Sequence, residues 1–577
     1  MHRRQFNSLA LALAGVAAAG PAHAGAVSHE DLMDRLEAFG FSGGVVAAER
    51  DRVRWTRACG WADQAAGHRF HGRTPFNIAS VTKPVTALAV MGLVEQGRLS
   101  LDDTLGRRLS GVPADMARVT IAQLLSHSSG LPRQTRTRDV TERAQVLERL
   151  LAVKPEAKPG ERFIYSNVGY ALLAAITEEV TGGTWREAVR TRVFAPAGMR
   201  ESGFAQDYRP ASPIAHGYDE WNDLGDFRKT HQPGWYEGSG NVVSTLEDMG
   251  RLMLALEAGR IVSAETLALM TRPQSPGAGS TGYEAYGFGF YLGRTTAGAP
   301  YMTHTGDNPG YHGDLRWYPQ ERRWLYLVTT REAYDDSGQG VGPHTRVITN
   351  DIVRLLRREP ATTPPAARRV DGADESALAG AWVAPDGSRL EIGRRRPREP
   401  QLTAVAHGQG AADAITGADA AAAAHNAAAN RRALSLAELI RRQDVAALKT
   451  ALRDVAFFAE GWVKDFADWT AKHGAFTGFG PLTSRVTPFG DPQVRTMVPF
   501  RFARGEALME FTWNGEALHE TLTERGHPSP AIVPVAALGG GRWATWDMAL
   551  RRGVTLRLEG PVLVVEGANG ATRFRRA

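Results

Sequence analysis

The stretch "NIASVTKPV", from Asn77 to Val85, places Ser80 three residues before Lys83. Positions i and i+3 of a helix share one face, so the lysine would lie one turn from the serine oxygen. A serine hydroxyl is a weak nucleophile until a neighbouring base takes its proton. The stretch therefore predicts an activated serine, with an ordinary helix cap as the alternative, because serine is also a favoured capping residue.

The start of a helix suits such a nucleophile. Free backbone N–H groups of the first turn can polarise an oxyanion. Pro84 is tolerated there, because a first-turn residue has no helical N–H partner to lose. Lys83 can help only if it is partly neutral or exchanges its proton rapidly. Burial and a second cation would lower its pKa, and a tyrosinate would couple to it.

Two further short elements follow in order, "YSN" at Tyr165 and "HTG" at His304. Of the seven lysines only Lys83 has a serine three residues earlier, and of the thirteen tyrosines only Tyr165 is followed two residues later by asparagine. Each element alone is a weak signal. Finding all three in this order is much rarer than finding any one of them.

Together these elements resemble the penicillin-recognising serine hydrolases. The most similar branch holds class C β-lactamases, D-amino-acid-specific peptidases, serine-type DD-carboxypeptidases and family VIII esterases. Four surrounding segments resemble this branch in the expected order: "LLSHSSGLP" from Leu124, "KPGERFIYSNVGYALLAAITEEVTG", "GMRESGF" and "VSTLEDMGRLMLAL". The resemblance implies an α+β fold of the β-lactamase/transpeptidase type, an antiparallel sheet flanked by helices.

The resemblance implies roles for four residues. Ser80 would be the acylated nucleophile and Lys83 would assist its deprotonation. Tyr165 would be the general base in acylation and for the deacylating water. Asn167 would hold Lys83 and the acyl-side amide of the substrate.

The resemblance also implies contacts around the cleft. The strand of His304, Thr305 and Gly306 would line the far wall. The Asp307 N–H would form the oxyanion hole with that of Ser80. Gln134, in "GLPRQ", stands where class C enzymes place a substrate-amide contact.

His304 departs from the class C pattern, which has lysine at this position. Lysine is a permanent cation for the carboxylate of a β-lactam, whereas histidine is mostly neutral at pH 7. Histidine here resembles D-amino-acid peptidases and esterase-like members. We therefore expect hydrolysis of an amide or ester, a D-amino-acid peptide or small ester, with a weaker demand for a free carboxylate.

Alternative functions remain open at this stage. A penicillin-binding-type sensor, or a weak β-lactamase, would acylate with little turnover. A third hypothesis places function in the C-terminal half as a ligand- or wall-binding module. The expected partner is a small-molecule or peptide substrate, with cell-wall-derived peptides among the options.

Composition excludes other classes. The net charge is +6, but the basic residues are spread along the chain without a basic stripe, so we expect no nucleic-acid binding. A single cysteine, Cys59, excludes a zinc-thiolate site and is expected to be buried and inert. We expect no cofactor, and no metal at His216, His231 or His312, whose spacing to carboxylates is unlike that of metal ligands.

The N-terminus has the pattern of an export signal. "MHRRQF" precedes the apolar stretch "LALALAGVAAAG" and the small-residue site "AHA", so residues 1–24 are predicted to be cleaved. The paired arginines resemble a twin-arginine signal. The apolar stretch is too short for a membrane anchor. A periplasmic or secreted protein is expected.

Composition and periodicity divide the rest of the chain. Residues 28–358 alternate helical and strand patterns and are predicted to form the hydrolase domain, with a sheet completed by strands from both its ends. Residues 359–376 are predicted to be a linker, and residues 377–577 a mainly β or α+β accessory region. Its Ala-rich insert, about 408–430, is expected to be poorly ordered. The strands near Trp382 and the terminal hairpin could form one barrel interrupted by this insert.

Two other patterns are interpreted as structural. "GFSGG" at Gly40 matches G-x-S-x-G through Ser42, but it precedes a strand instead of joining strand to helix. The match is therefore interpreted as coincidence. His127, in "LLSHSSG", is expected to be a structural hydrogen-bonding residue.

Overall fold

The computed structural model of the chain describes residues 27–577 apart from short internal gaps, namely 136–139, 141, 206–207, 209–211, 220–221, 229–236, 276–282, 296, 333–342, 395–401, 453–454, 457, 488–492, 515–516, 524–531 and 548–551. The predicted export signal lies outside the described residues. Among the residues described, no helix is long and apolar enough to cross a membrane.

The first part of the chain contains eleven helices among its described residues: α1 (His29–Ala38), α2 (Thr82–Glu95), α3 (Leu105–Arg108), α4 (Ile121–Leu125), α5 (Arg143–Leu151), α6 (Asn167–Thr181), α7 (Trp185–Val189), α8 (Ala195–Ala197), α9 (Leu246–Glu257), α10 (Ala264–Met270) and α11 (Pro343–Leu356). A 3-10 turn, Ala79–Val81, leads directly into α2.

The strands of this part are β1 (Gly43–Glu49), β2 (Arg52–Cys59), β3 (Trp61–Asp63), β4 (His68–Arg69), β5 (Phe76–Asn77), β6 (Gly203–Phe204), β7 (His216–Asp219), β8 (Asn222–Asp226), β9 (Val242–Ser244), β10 (Ala285–Tyr286), β11 (Tyr291–Arg294), β12 (Pro300–Asn308), β13 (Tyr311–Tyr318), β14 (Arg323–Thr329) and β15 (Arg331–Glu332).

The central sheet joins the two ends of the hydrolase domain. Its order is β10-β11-β12-β13-β14-β1-β2. The early strand β1 pairs antiparallel with the late strand β14, with Gly43 opposite Thr329. The prediction of a sheet completed by both ends is therefore confirmed. Strand β1 is buried along almost its whole length because the sheet has neighbours on both faces.

Helix α2 lies in the centre of the domain. Its residues from Thr82 to Leu93 are all buried, as expected for a helix that is apolar on every side. Helix α6 ends at Gly182, whose φ of 75° is the left-handed conformation that favours glycine. The two helices pack against each other and bring the ends of "NIASVTKPV" and "YSN" together.

The accessory region contains five described helices, α12 (Gly372–Leu378), α13 (Gln409–Thr416), α14 (Ala420–Arg441), α15 (Val445–Leu452) and α16 (Phe458–His473). Its strands are β16 (Gly380–Val383), β17 (Arg389–Gly393), β18 (Leu402–His407), β19 (Phe476–Phe479), β20 (Thr483–Thr487), β21 (Gln493–Phe502), β22 (Gly505–Asn514), β23 (Ala517–Thr523), β24 (Ile532–Gly539), β25 (Arg542–Thr545), β26 (Thr555–Glu559), β27 (Val562–Gly567) and β28 (Gly570–Arg576).

The strands near Trp382 and the terminal hairpin lie in one barrel, as predicted, but the interruption is longer than the Ala-rich stretch. Strands β16, β17 and β18 close with β24 to β28 into an eight-stranded barrel. Side chains such as Trp382, Leu390 and Phe574 fill its core. Helix α13 packs into the barrel core through residues such as Ala412 and Ile415. The described residues from α14 to β23 form a separate α+β unit, in which a five-stranded sheet packs against α14 and α16.

Two expectations for this region were wrong. The Ala-rich stretch is helical, because alanine has the highest helix propensity and Asp419 caps α14 by accepting the Ala422 N–H. Small side chains such as Ala433 also let α14 pack closely on its sheet. The predicted linker is shorter than 359–376, since a capping box at Asp371 starts α12 at the next residue.

Candidate active site

Ser80 lies in the 3-10 turn before α2, in a backbone arrangement that its neighbours hold in place. Ala79 has a φ of 47°, a left-handed conformation that a residue with a side chain rarely adopts. The Oδ1 atom of Asn77 accepts the Ala79 N–H at 2.9 Å and also an N–H of Asn308 at 2.6 Å. The Asn77 amide donates in turn to the carbonyl of Val242 at 3.1 Å. Asn77 thus ties the turn Ala79–Val81 to β9 and β12. Because this turn carries the candidate nucleophile Ser80, it is called the nucleophile turn below.

Lys83 contacts the serine oxygen directly. Its Nζ atom lies 3.0 Å from Ser80 Oγ and donates to the carbonyl of Ser239 at 2.9 Å. The lysine is fully buried. Burial first, and the Arg133 guanidinium second, lower the Lys83 pKa well below its usual value. Ser80 makes no capping hydrogen bond at the start of α2, so the helix-cap alternative is wrong.

Tyr165 comes just before α6 and lies beside Lys83. The Nζ atom of Lys83 is 4.7 Å from the centre of the Tyr165 ring, and the Arg133 guanidinium is 5.4 Å from it. The tyrosine is half-buried. The structure therefore brings together the serine, lysine and tyrosine that the sequence separates by up to 85 positions, as counted from Ser80 to Tyr165.

Asn167, the first residue of α6, departs from one expectation. Its N–H donates to the Arg133 carbonyl at 2.9 Å, which holds the loop of Arg133 against α6. Its Oδ1 atom is buried and accepts no hydrogen bond among the described residues. The expected hydrogen bond from Lys83 to Asn167 is therefore not formed, because the lysine donates to the carbonyl of Ser239 instead.

The "HTG" strand is part of β12 and runs beside the nucleophile turn. A Cβ atom on Gly306 would lie 2.2 Å from the Ile78 carbonyl oxygen, so only glycine permits this approach. The pairing of β11 with β12 ends at Thr303, and β12 continues to Asn308 along the turn of Ser80. Thr305 is half-buried, and the Asp307 carboxylate lies 3.1 Å from Nδ1 of His312.

His304 is buried and neutral. Its Nδ1 atom lies 2.7 Å from the Thr305 carbonyl, which can only accept, so Nδ1 carries the proton. Nε2 is buried and has no hydrogen-bond partner among the residues described. Burial and the nearby Lys83 lower the His304 pKa to about 3. That this position lacks a permanent cation stays a prediction, and the burial of His304 supports it.

Aromatic rings form the wall behind Tyr165 and His304. The His127 ring lies 4.4 Å from that of Tyr165, and the Tyr291 ring lies 5.4 Å from that of His304. His127 accepts the Ser166 N–H on Nδ1 at 3.0 Å, which confirms its predicted structural role. Tyr286 packs between the two histidines. Sequence reasoning missed this wall because its members lie on four separate segments.

Sequence reasoning also missed Arg133 and Asn77. Arg133 immediately precedes Gln134 in "GLPRQ", and a cation in that motif was a possible signal. Asn77 lies in the same stretch as Ser80, three residues before it. Gln134 itself is exposed, and its predicted contact with substrate stays a prediction.

His216 has carboxylate neighbours that its sequence position does not reveal. Its Nδ1 atom is 2.9 Å from Asp223, and its Nε2 atom is 3.5 Å from Asp63. The three residues form a group that could hold a metal ion, so the expectation that His216 lacks such neighbours was wrong. Asp63 is remote in sequence and reaches His216 only through the fold. The same contacts also suit a histidine held between two carboxylates. His231 lies outside the described residues.

The structure agrees with the interpretations of Ser42 and Cys59. Ser42 is buried before β1, and its Oγ atom accepts the Trp61 N–H at 3.1 Å, so its G-x-S-x-G match is coincidental. Cys59 is buried, and burial raises the pKa of its thiol.

The fold and the contact between Ser80 and a buried lysine define a serine hydrolase of the penicillin-recognising class. Residues 30–349 match the Beta-lactamase family, and this match covers more than half of the chain. The chain belongs to that family.

Several known proteins are similar to it. Penicillin-binding protein 4* of Bacillus subtilis (strain 168) is 27% identical over 61% of this chain and 81% of that protein. Esterase EstB of Burkholderia gladioli is 29% identical over 50% of this chain and 86% of the esterase. The structure of a D-amino acid amidase from Ochrobactrum anthropi SV3, complexed with L-phenylalanine, has a TM-score of 0.50 and 25% identity, over 57% of this chain and 97% of that one.

Proposed function

We propose that this enzyme hydrolyses an ester or an amide through an acyl-enzyme formed on Ser80. The supporting observation is the 3.0 Å contact between Ser80 Oγ and a buried Lys83 whose pKa is well below its usual value. A neutral lysine accepts the serine proton while Oγ bonds to the substrate carbonyl carbon. The carbonyl electron pair then moves to its oxygen.

Tyr165 is positioned to complete the proton transfers. Its ring adjoins Lys83, so a proton taken from Ser80 can pass through this pair to the leaving amine or alcohol as the scissile bond breaks. In the second half of the reaction the same groups remove a proton from the water that attacks the acyl carbon. Ser80 recovers its proton when the product acid leaves.

Backbone and amide groups would hold the reacting carbonyl. We assign the N–H groups of Ser80 and Asp307 to the oxyanion hole, since Gly306 lets β12 approach the nucleophile turn closely. The Asn167 Oδ1 atom is a buried acceptor with no partner among the described residues. An acyl-side amide N–H of the substrate would satisfy it.

The neutral His304 favours a D-amino-acid peptide or a small ester over a β-lactam. It gives β12 no cation for the carboxylate that β-lactams carry. The names of two relatives, an esterase and a D-amino acid amidase, support this choice. Cell-wall-derived peptides are within the same substrate class.

The test measures turnover and the intact mass of the protein together. The wild type, Ser80→Ala and Ser42→Ala are incubated with a chromogenic cephalosporin, a D-alanyl anilide, a p-nitrophenyl ester and a fluorophosphonate. We expect wild type and Ser42→Ala to turn over the ester or the anilide and to gain one fluorophosphonate adduct, and Ser80→Ala to do neither. Turnover or an adduct in Ser80→Ala would refute the assignment. A stable acyl adduct without turnover would indicate the sensor function instead.

Export is a separate proposal. The basic "MHRRQF", the short apolar stretch and "AHA" support cleavage after Ala24 and a periplasmic or secreted location. N-terminal sequencing of protein recovered from the periplasm of an expressing bacterium tests it. A first residue other than Gly25 would contradict the predicted cleavage site.

A further inference from the structure

Arg133 is a cation beside the reacting groups. Its guanidinium lies 5.4 Å from the centre of the Tyr165 ring, and its charge acts on both Lys83 and His127. The side chain is half-buried. Because the Asn167 N–H donates to the Arg133 carbonyl, the backbone of Arg133 is tied to the first turn of α6. This arginine therefore has a defined place at the cleft and is not a mobile surface group.

No carboxylate forms an ion pair with the half-buried Arg133 among the residues described. Arg143 pairs with Glu178 and Glu237, and the buried Arg316 pairs with Asp314 at 2.7 Å. Placing an uncompensated cation near a buried lysine is unfavourable. Such an arrangement is expected where a ligand supplies the missing negative charge.

Strand β12, on the opposite wall, provides no cation among its described residues. His304 is neutral, and the carboxylate nearest to it in sequence, Asp307, contacts His312. A guanidinium binds a carboxylate through two parallel hydrogen bonds, which gives both affinity and orientation. A guanidinium that stacks on an aromatic face keeps its N–H donors at its edge, where a carboxylate can pair with them.

We propose that Arg133 is the anion-binding residue of this active site, and that the preferred ester or amide carries a carboxylate within reach of its guanidinium. This inference rests on the proposed function of Ser80. It places charge recognition on the loop before α5 instead of on β12. A bound carboxylate would also offset the charge that Arg133 exerts on Lys83.

The experiment compares matched substrates with and without a carboxylate. On the acyl side these are mono-p-nitrophenyl succinate and p-nitrophenyl butyrate, and on the leaving-group side they are 3-acetoxybenzoate and phenyl acetate. The enzymes are the wild type, Arg133→Gln, Arg133→Lys and the control Arg162→Gln. Arg162 is an exposed arginine of the loop before Tyr165 that donates to the Glu156 carbonyl.

We expect the wild type to prefer the carboxylate in one of the two pairs. Arg133→Gln should lower kcat/KM for that substrate about 10- to 100-fold relative to its neutral partner, as for loss of a hydrogen bond to a charged group. Arg133→Lys should retain an intermediate preference, because lysine keeps the charge but not the paired donors. Arg162→Gln should leave the preference unchanged. The pair that responds shows which side of the scissile bond carries the anion.

Other outcomes overturn the inference. An equal fall for both members of a pair in Arg133→Gln would show that the arginine only positions Tyr165. A wild-type preference for neutral substrates, or a preference that survives Arg133→Gln, would also refute it.

A binding measurement separates this inference from the proposed function. Phenylboronic acid and 3-carboxyphenylboronic acid are each titrated into the protein, and their dissociation constants are measured from the change in tryptophan fluorescence. The measurement requires no turnover. A carboxylate preference that disappears in Arg133→Gln supports the inference. Equal affinities refute it, even when the fluorophosphonate adduct shows that Ser80 is reactive.

Discussion

Replacing Gly306 by alanine would test how closely β12 must approach the nucleophile turn. The added Cβ atom would lie 2.2 Å from the Ile78 carbonyl oxygen and 3.2 Å from a methyl group of Val81. A carbon and an oxygen in contact are separated by about 3.3 Å. The strand or the turn must therefore move by about 1 Å. Ile78 is two residues before Ser80, so this movement changes the geometry of the reacting oxygen.

The expected loss follows from that displacement. A misplacement of about 1 Å costs about 100-fold in rate, which is about 2.7 kcal/mol of activation free energy. Overpacking should lower the free energy of unfolding by about 1–3 kcal/mol. Gly393→Ala is the matched control, because Gly393 also lies on a strand and its Cβ would meet open space.

The assay combines kcat/KM for a p-nitrophenyl ester, the rate of fluorophosphonate labelling and thermal unfolding by circular dichroism. Gly306→Ala should remain folded at 25 °C, react slowly at Ser80 and lose most of its turnover. Activity within twofold of the wild type would refute the reasoning, because the strand could then retreat without affecting the serine. A matching loss in Gly393→Ala would show a general effect of alanine on the chain.

Three further predictions concern other residues of the same domain. The pKa of His304 is lowered from 6.5 to about 3, so between these values the unfolded state binds a proton that the folded state does not. The free energy of unfolding should therefore rise with pH across this window by up to about 1.4 kcal/mol per unit, and urea titrations of His304→Gln should show a smaller slope. Asn77→Ala should lower the free energy of unfolding by about 1–3 kcal/mol, because the N–H of Ala79 loses its buried acceptor, and kcat should fall with it. Cys59 should react with a maleimide only after unfolding in urea, since its thiol is buried and its pKa is raised.

Each of these predictions has a result that would contradict it. An unchanged pH slope in His304→Gln would mean that its imidazole is protonated in the folded state. Full kcat in Asn77→Ala would show that the Ala79 conformation does not depend on this amide. Maleimide labelling of the native protein within minutes would place Cys59 at the surface.

The fold of the hydrolase domain was largely predictable, whereas parts of the accessory region were not. Strands β1 and β14 could be predicted to pair because both are dense apolar runs at the ends of one domain. The prediction of poor order in the Ala-rich stretch was wrong because such a composition is as typical of disordered segments as of helices. The cap at Asp419 and the packing of α14 on β20 and β21 stabilise the helix, and those strands are remote from it in sequence.

At the candidate active site, the sequence by itself determined which two polar side chains meet. Ser80 and Lys83 are one helical turn apart, and that spacing brings them into contact wherever the helix lies. Only the tertiary structure decided their electrostatics. It buried Lys83 near Arg133, placed the carbonyl of Ser239 instead of Asn167 as the acceptor of its Nζ, and enclosed His304 in aromatic rings. Spacing along a helix is a local property. The pKa of a buried group, by contrast, depends on the charges that remote segments bring near it and on the solvent that those segments exclude.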